Sequence, residues 1–178
     1  MGVMTMILVT GISGAGKTHT IDALVERYPT YVRLSASDIL RRAGLQVAVE
    51  NREHVVANQR ALLASLSLPE APPPGTIILD GHAVIESKTG DVIEVPTEVV
   101  SAMRPEVIVT LHDETSLLQE RRQNKPVRND TQWISYVQNL ELQRSKEWAQ
   151  LLDVPFVPVL SGDLEAFSKV LKASRVEF

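Results

Sequence analysis

Residues 11–18 read Gly-Ile-Ser-Gly-Ala-Gly-Lys-Thr and satisfy G-x-x-x-x-G-K-[ST] at every fixed position. Their context is as restrictive as the pattern. The short apolar run Met6 to Thr10 comes immediately before, and Ile21, Leu24, Val25 and Tyr28 follow at the i, i+3, i+4, i+7 spacing of a helix. A strand therefore enters a glycine turn and leaves as a helix beginning near Lys17. The glycines let the backbone curl so that its N–H groups face a polyphosphate, and the helix N-terminus adds partial positive charge. On this reading Gly11, Ser13, Gly14, Ala15, Gly16, Lys17 and Thr18, with His19 next in line, cradle the phosphates of a nucleotide. Lys17 reaches the β- and γ-phosphates, and the Thr18 hydroxyl binds Mg²⁺.

The rest of the chain repeats the alternation that this loop needs. Further β-rich runs lie at Tyr31 to Ser35, Thr76 to Asp80, Val107 to His112 and Pro155 to Leu160. Near-continuous apolar stretches such as Ile77-Ile78-Leu79 are typical of strands covered on both faces of a parallel sheet. Helical spacing separates them. Val55, Leu62, Leu63 and Leu66 mark one helix. A long one starts near Thr131 with Trp133, Val137 and Leu140, and continues to Trp148, Leu151 and Leu152. The last follows Asp163 with Leu164, Phe167, Val170 and Leu171. Strand–helix alternation means βαβ units. Val84 to Val95, with Lys88-Thr89-Gly90-Asp91 between β-branched residues, reads as a hairpin, and Ala71 to Gly75 as a loop joining a helix to a strand.

Composition narrows the function. A chain of 178 residues is one domain's worth. It has no cysteine, which excludes disulfides, thiolate metal sites and cysteine nucleophiles. The net charge of -4 provides no general field for a nucleic-acid backbone, and three Phe, three Tyr and two Trp make no stacking platform. The four histidines form no metal-spaced pair, and no G-x-S-x-G elbow exists. The N-terminal apolar run is too short for a signal peptide or a membrane span, so the expectation is a soluble cytoplasmic protein without a membrane partner.

Among chains with such a P-loop, a GTPase would need N/T-K-x-D, but Asn124-Lys125-Pro126-Val127 has valine at the Asp position. The chain is short for an AAA-type ATPase, which would need more helices after the core. A small kinase needs a lone core, an acceptor site after the second strand and an arginine-bearing lid. Ser35-Ala36-Ser37-Asp38-Ile39-Leu40-Arg41-Arg42 resembles the T-G-D-x-L-R segment of adenylate kinases. The resemblance implies that Ser37 and Arg41 hold the acceptor nucleotide and that Asp38 orients waters on Mg²⁺. A plainer reading makes Ser37 or Asp38 a helix N-cap and puts Arg41 on a solvated face. Leu79-Asp80-Gly81-His82 ends the third strand in the Walker B manner, with Asp80 holding a magnesium-bound water. The D-x-H form, the hairpin after it and Arg104-Pro105-Glu106-Val107-Ile108-Val109 look like the archaeal-type adenylate kinases and the nuclear adenylate kinase/ATPase group, and His82 is taken as an acceptor-site residue. Typical bacterial adenylate kinases carry D-G-F-P-R here, and this chain lacks that arginine.

Gln119 to Asp130 is similar to the compact R-R…R-N-R-D lid of the archaeal-type enzymes, although the second Arg of R-N-R-D is absent and Asn139 stands where longer-lid relatives have an Arg. By resemblance Arg121 or Arg122 stacks on the donor adenine or touches its phosphates, and Arg128 stabilises the transferring phosphoryl group. A solvated basic helix end would explain the same residues. The resemblance implies a three-layer α/β/α P-loop fold with a parallel sheet ordered 2-3-1-4-5. Its acceptor segment would cover about 36–70 and its short lid about 121–130. The implied activity is ATP- and Mg²⁺-dependent phosphoryl transfer to a nucleoside monophosphate, AMP first, by a monomer or homodimer. Two alternatives stand beside it. One is a kinase for another small acceptor, with Asp38 as base. The other is a nucleotide-switched ATPase working with a protein or ribosomal partner.

Overall fold

The computed structural model describes residues 5–66 and 76–173. The expected loop at Ala71 to Gly75 and the first four residues lie outside them. Strand β1 (Thr5–Thr10) leads through the glycine turn into helix α1 (Lys17–Arg27). Strand β2 (Tyr31–Ser35) passes directly into α2 (Ala36–Arg42), and α3 (Arg52–Leu66) precedes β3 (Thr76–Asp80). The hairpin strands β4 (Val84–Glu86) and β5 (Val92–Glu94) come next, then α4 (Thr97–Met103), β6 (Val107–His112), α5 (Thr115–Arg121), α6 (Thr131–Leu152), β7 (Phe156–Leu160) and α7 (Leu164–Ala173).

The main sheet is parallel in the order β2-β3-β1-β6-β7. With the two hairpin strands set apart, this is the expected 2-3-1-4-5. All but the first residue of β1 is buried, because β1 is central and helices cover both faces. Its side chains alternate between two cores. Ile7 and Val9 join Ile21 and Leu24 of α1, Ile134 and Val137 of α6, and Phe167 of α7. Met6 and Leu8 join Ile77 and Leu79 of β3, Val99 and Val100 of α4, and Trp148 of α6. The edge strand β7 tolerates Pro158, which lacks an N–H, because it has only β6 beside it.

Local signals set the ends of these elements. Ser35, the last residue of β2, caps α2 by accepting the Asp38 N–H at 3.3 Å. The cap is therefore neither Ser37 nor Asp38. Asp130 caps α6 by accepting the Trp133 N–H at 2.9 Å. No helix among the described residues is long and apolar enough to cross a membrane.

Candidate active site

The glycine turn lies beyond the carboxyl ends of the central strands, where open α/β sheets place their ligand crevices. Gly81 N–H donates to Val9 O at 2.9 Å, which sets Asp80 and His82 beside the turn. Gly14 has φ +90°, and a Cβ there would meet the Arg122 side chain at 2.9 Å. Both the conformation and the close approach demand glycine. Gly16, also at positive φ, caps α1 without a side-chain bond, so the first amides of the helix are left for an anion.

Lys17 is buried, and its ammonium donates to Gly11 O and lies 4.0 Å from Asp80 Oδ1. Burial lowers its pKa, opposed by the charges of Asp80 and Glu141. Asp80 is also held by Arg33, whose Nη2 lies 3.3 Å from Asp80 Oδ2 and 3.3 Å from Thr18 Oγ1. One guanidinium nitrogen thus bridges the two residues expected at the magnesium site. Hard oxygen donors gathered around a resident cation suit Mg²⁺, so Thr18 and Asp80 fit that metal. Asp38 stands apart on α2, where its exposed carboxylate pairs with Arg41. His19 is exposed on the first turn of α1.

Four cations of the expected lid point in different directions. Arg121 pairs with Asp113 Oδ2 at 2.8 Å and reaches Gly14 O at 3.4 Å. Arg122 is wholly buried beneath the turn and donates to Glu86 Oε1 at 2.6 Å, Arg128 O at 2.8 Å and Ser13 O at 3.4 Å. Arg128 is exposed, pairs with Asp130 and lies 4.8 Å over the Trp133 ring. Lys125 donates to Ser13 Oγ at 3.0 Å.

Glu141 is the central residue that sequence reasoning missed. Its buried carboxylate accepts N–H groups of Gly11 at 2.7 Å, Ala83 at 2.9 Å and Val84 at 2.7 Å. It pins the start of the glycine turn to the start of the hairpin. Burial raises its pKa, opposed by these amides and by Lys17. A signal existed, because Glu141 lies on the same α6 stripe as Ile134, Val137 and Trp148. Arg33 was missed in the same way, as a charge inside a β-rich run.

A cavity of about 690 Å³ runs from Ile12 and Ser13 to Ser37 and Arg41, with Leu40, Val47, Leu62, Val84 and His82 in its walls. Burial and then the charge of Lys17 hold the His82 pKa well below 6.5. The unfolded chain takes up a proton as pH falls through 6.5, and the folded chain does so only at lower pH. Stability present above 6.5 is therefore lost on acidification towards the folded pKa. His82→Gln is expected to flatten the fall in denaturation midpoint as pH drops below about 6.5. A wild-type slope in that variant would exclude His82 as its source.

Comparison with known proteins places this geometry. A family model described as an AAA domain matches residues 10–135, more than half of the chain. It ends within α6. An adenylate kinase of Pyrobaculum aerophilum is 25% identical over 128 residues, 68% of this chain and 65% of that protein. The match thus spans less than two thirds of the relative's length. Shikimate kinase from Acinetobacter baumannii, in complex with shikimate, superposes with TM-score 0.64 at 16% identity, covering 98% of this chain and 97% of that one. A gluconokinase from Sinorhizobium meliloti gives TM-score 0.55 at 14% identity, with 97% of each chain covered. These two likenesses concern the fold, a three-layer P-loop kinase architecture. The chain belongs to the P-loop family described as an AAA domain, and within it is nucleoside monophosphate kinase-like.

Proposed function

We propose that this protein is an ATP- and Mg²⁺-dependent phosphotransferase that phosphorylates a nucleoside monophosphate, with AMP as the preferred acceptor. The observation that carries the reading is the cavity. It continues from the phosphate-binding turn into an aliphatic cleft with Ser37 and Arg41 in its lining. Aliphatic walls suit a flat base, and a guanidinium suits the acceptor's phosphate. The adenylate kinase relative supports the same acceptor class.

In this reading Lys17 and the loop amides hold the donor's β- and γ-phosphates, and Arg121 stands at the edge of the turn. Arg128 leaves Trp133 to meet the transferring group. Arg122 orients the turn from beneath. Ser37, Arg41 and His82 position the acceptor, Asp80 would hold metal-bound water, and Asp38 would reach that site only by releasing Arg41. When bound, magnesium would supply neutralising charge to the phosphates. An acceptor phosphate oxygen forms the new bond to the γ-phosphorus as the β–γ bridging bond breaks, and ADP leaves with that electron pair. The nucleophile is already anionic at neutral pH, so no strong base is needed. The reaction belongs to the cytoplasm, with the chain acting as monomer or homodimer.

A second reading takes a small hydroxylated acid as acceptor, favoured by the fold shared with a shikimate kinase and a gluconokinase. A coupled assay following ADP separates the two. It presents Mg·ATP with AMP, CMP, UMP, GMP, shikimate, gluconate or no acceptor. Fast ADP release with AMP, and little without acceptor, is expected. Release with a hydroxy acid alone would replace the monophosphate reading. Equal slow release in every well would leave only ATP hydrolysis.

A further inference from the structure

Arg33 lies in mid-strand β2 on the same strand face as the core residue Tyr31. There it meets Thr18 and Asp22, one turn apart on α1, and Asp80 at the end of β3. Its Nη2 is shared between Thr18 Oγ1 and Asp80 Oδ2, while Nη1 donates to Asp22 Oδ1 at 3.0 Å. Its buried Nε has no hydrogen-bond partner. The guanidinium is therefore held only at its tip, with one end on the two magnesium-site residues and the other on a half-exposed carboxylate. A divalent cation bound to the Thr18 hydroxyl would bring two like charges against one oxygen, and they repel at contact distance. The two cannot share it.

We propose that Arg33 is a built-in placeholder for the divalent cation. It holds Thr18 and Asp80 and gives way towards Asp22 when metal enters with nucleotide. It thereby sets how strongly nucleotide binding depends on metal. The proposal rests on the phosphate-binding reading of the glycine turn. With metal, the guanidinium must be displaced from Thr18 and Asp80, and that displacement reduces the gain in affinity that magnesium brings.

The test is titration of a fluorescent ADP, mant-ADP, in Mg²⁺ and in EDTA, reading the Kd in EDTA divided by the Kd in Mg²⁺. Arg33→Ala and Arg33→Lys are both expected to raise that ratio about tenfold over wild type. Lysine keeps the charge but is too short to span Thr18, Asp80 and Asp22 together. A rise in Arg33→Ala alone would trace the effect to net charge and overturn the placeholder, as would an unchanged ratio in both. Asp22→Asn, on the exposed side of α1, removes the alternative partner and is expected to lower the ratio. A ratio at or above wild type in that variant counts against the proposal, and this arm stands even if neither Arg33 variant folds. Failure of the wild-type protein to bind mant-ADP in either buffer would instead defeat the phosphate-binding reading, and the placeholder with it.

Discussion

Lys17→Ala is expected to lower the turnover of ATP-dependent transfer by about 10³-fold, the scale lost when a preorganised donor to a transferring group is removed. The fold should survive. Lys17 is buried, but its carboxylate neighbour Asp80 keeps the Arg33 contact at 3.3 Å, so the substitution does not strand a bare buried charge. Turnover in the coupled assay and thermal unfolding by circular dichroism read the two effects separately. Near-normal turnover in a folded variant would remove the turn from the mechanism.

The largest stability effect should come from Glu141→Ala. It leaves the amides of Gly11, Ala83 and Val84 without their shared acceptor in a buried place. Several stranded donors, partly relieved by entering water, cost about 3–5 kcal/mol. Glu141→Gln keeps one acceptor oxygen but turns an NH₂ towards an amide, and is expected to cost about 1–2 kcal/mol. Guanidinium denaturation measures both. A loss under about 1 kcal/mol for alanine would show that the turn and the hairpin hold their positions independently. Because Gly11 opens the phosphate-binding turn, mant-ADP affinity should fall with stability.

The elements that were legible carried their cause in local sequence. The run Met6 to Val9 is apolar because β1 is covered on both faces, and the glycine turn is readable because its backbone permits few other residues. What stayed illegible depends on where distant elements meet. Arg121 and Arg122 are adjacent and chemically identical. Yet α5 ends so that one faces Asp113 and the other passes beneath Gly14 to Glu86. Helical spacing separates their directions but does not say which direction holds the turn. Asp38 and Asp80 were both read as acting through metal-bound water, but only Asp80 lies against Lys17 and Arg33, because β3 pairs with β1 whereas Asp38 follows β2, one strand further out. Glu141 and Arg33 looked like interruptions of apolar patterns, and their most distant partners lie 130 and 47 positions away.

Arg122 also bears on movement. Its stem packs against Gly14, and its guanidinium joins Ser13, Glu86 and the Arg128 carbonyl. Glu86 in turn accepts the Trp133 indole N–H at 2.8 Å. The proposed lid is thus rooted at one end by Arg122 and at the other by Trp133, both fastened to the same carboxylate. Its hinges must fall between these two anchors, and the stroke is limited to what that short stretch can span. Arg128 can reach inward only by releasing Asp130 and the Trp133 ring. Closure of such a lid would be a local exchange of partners by one side chain and its turn, without movement of the sheet or either core.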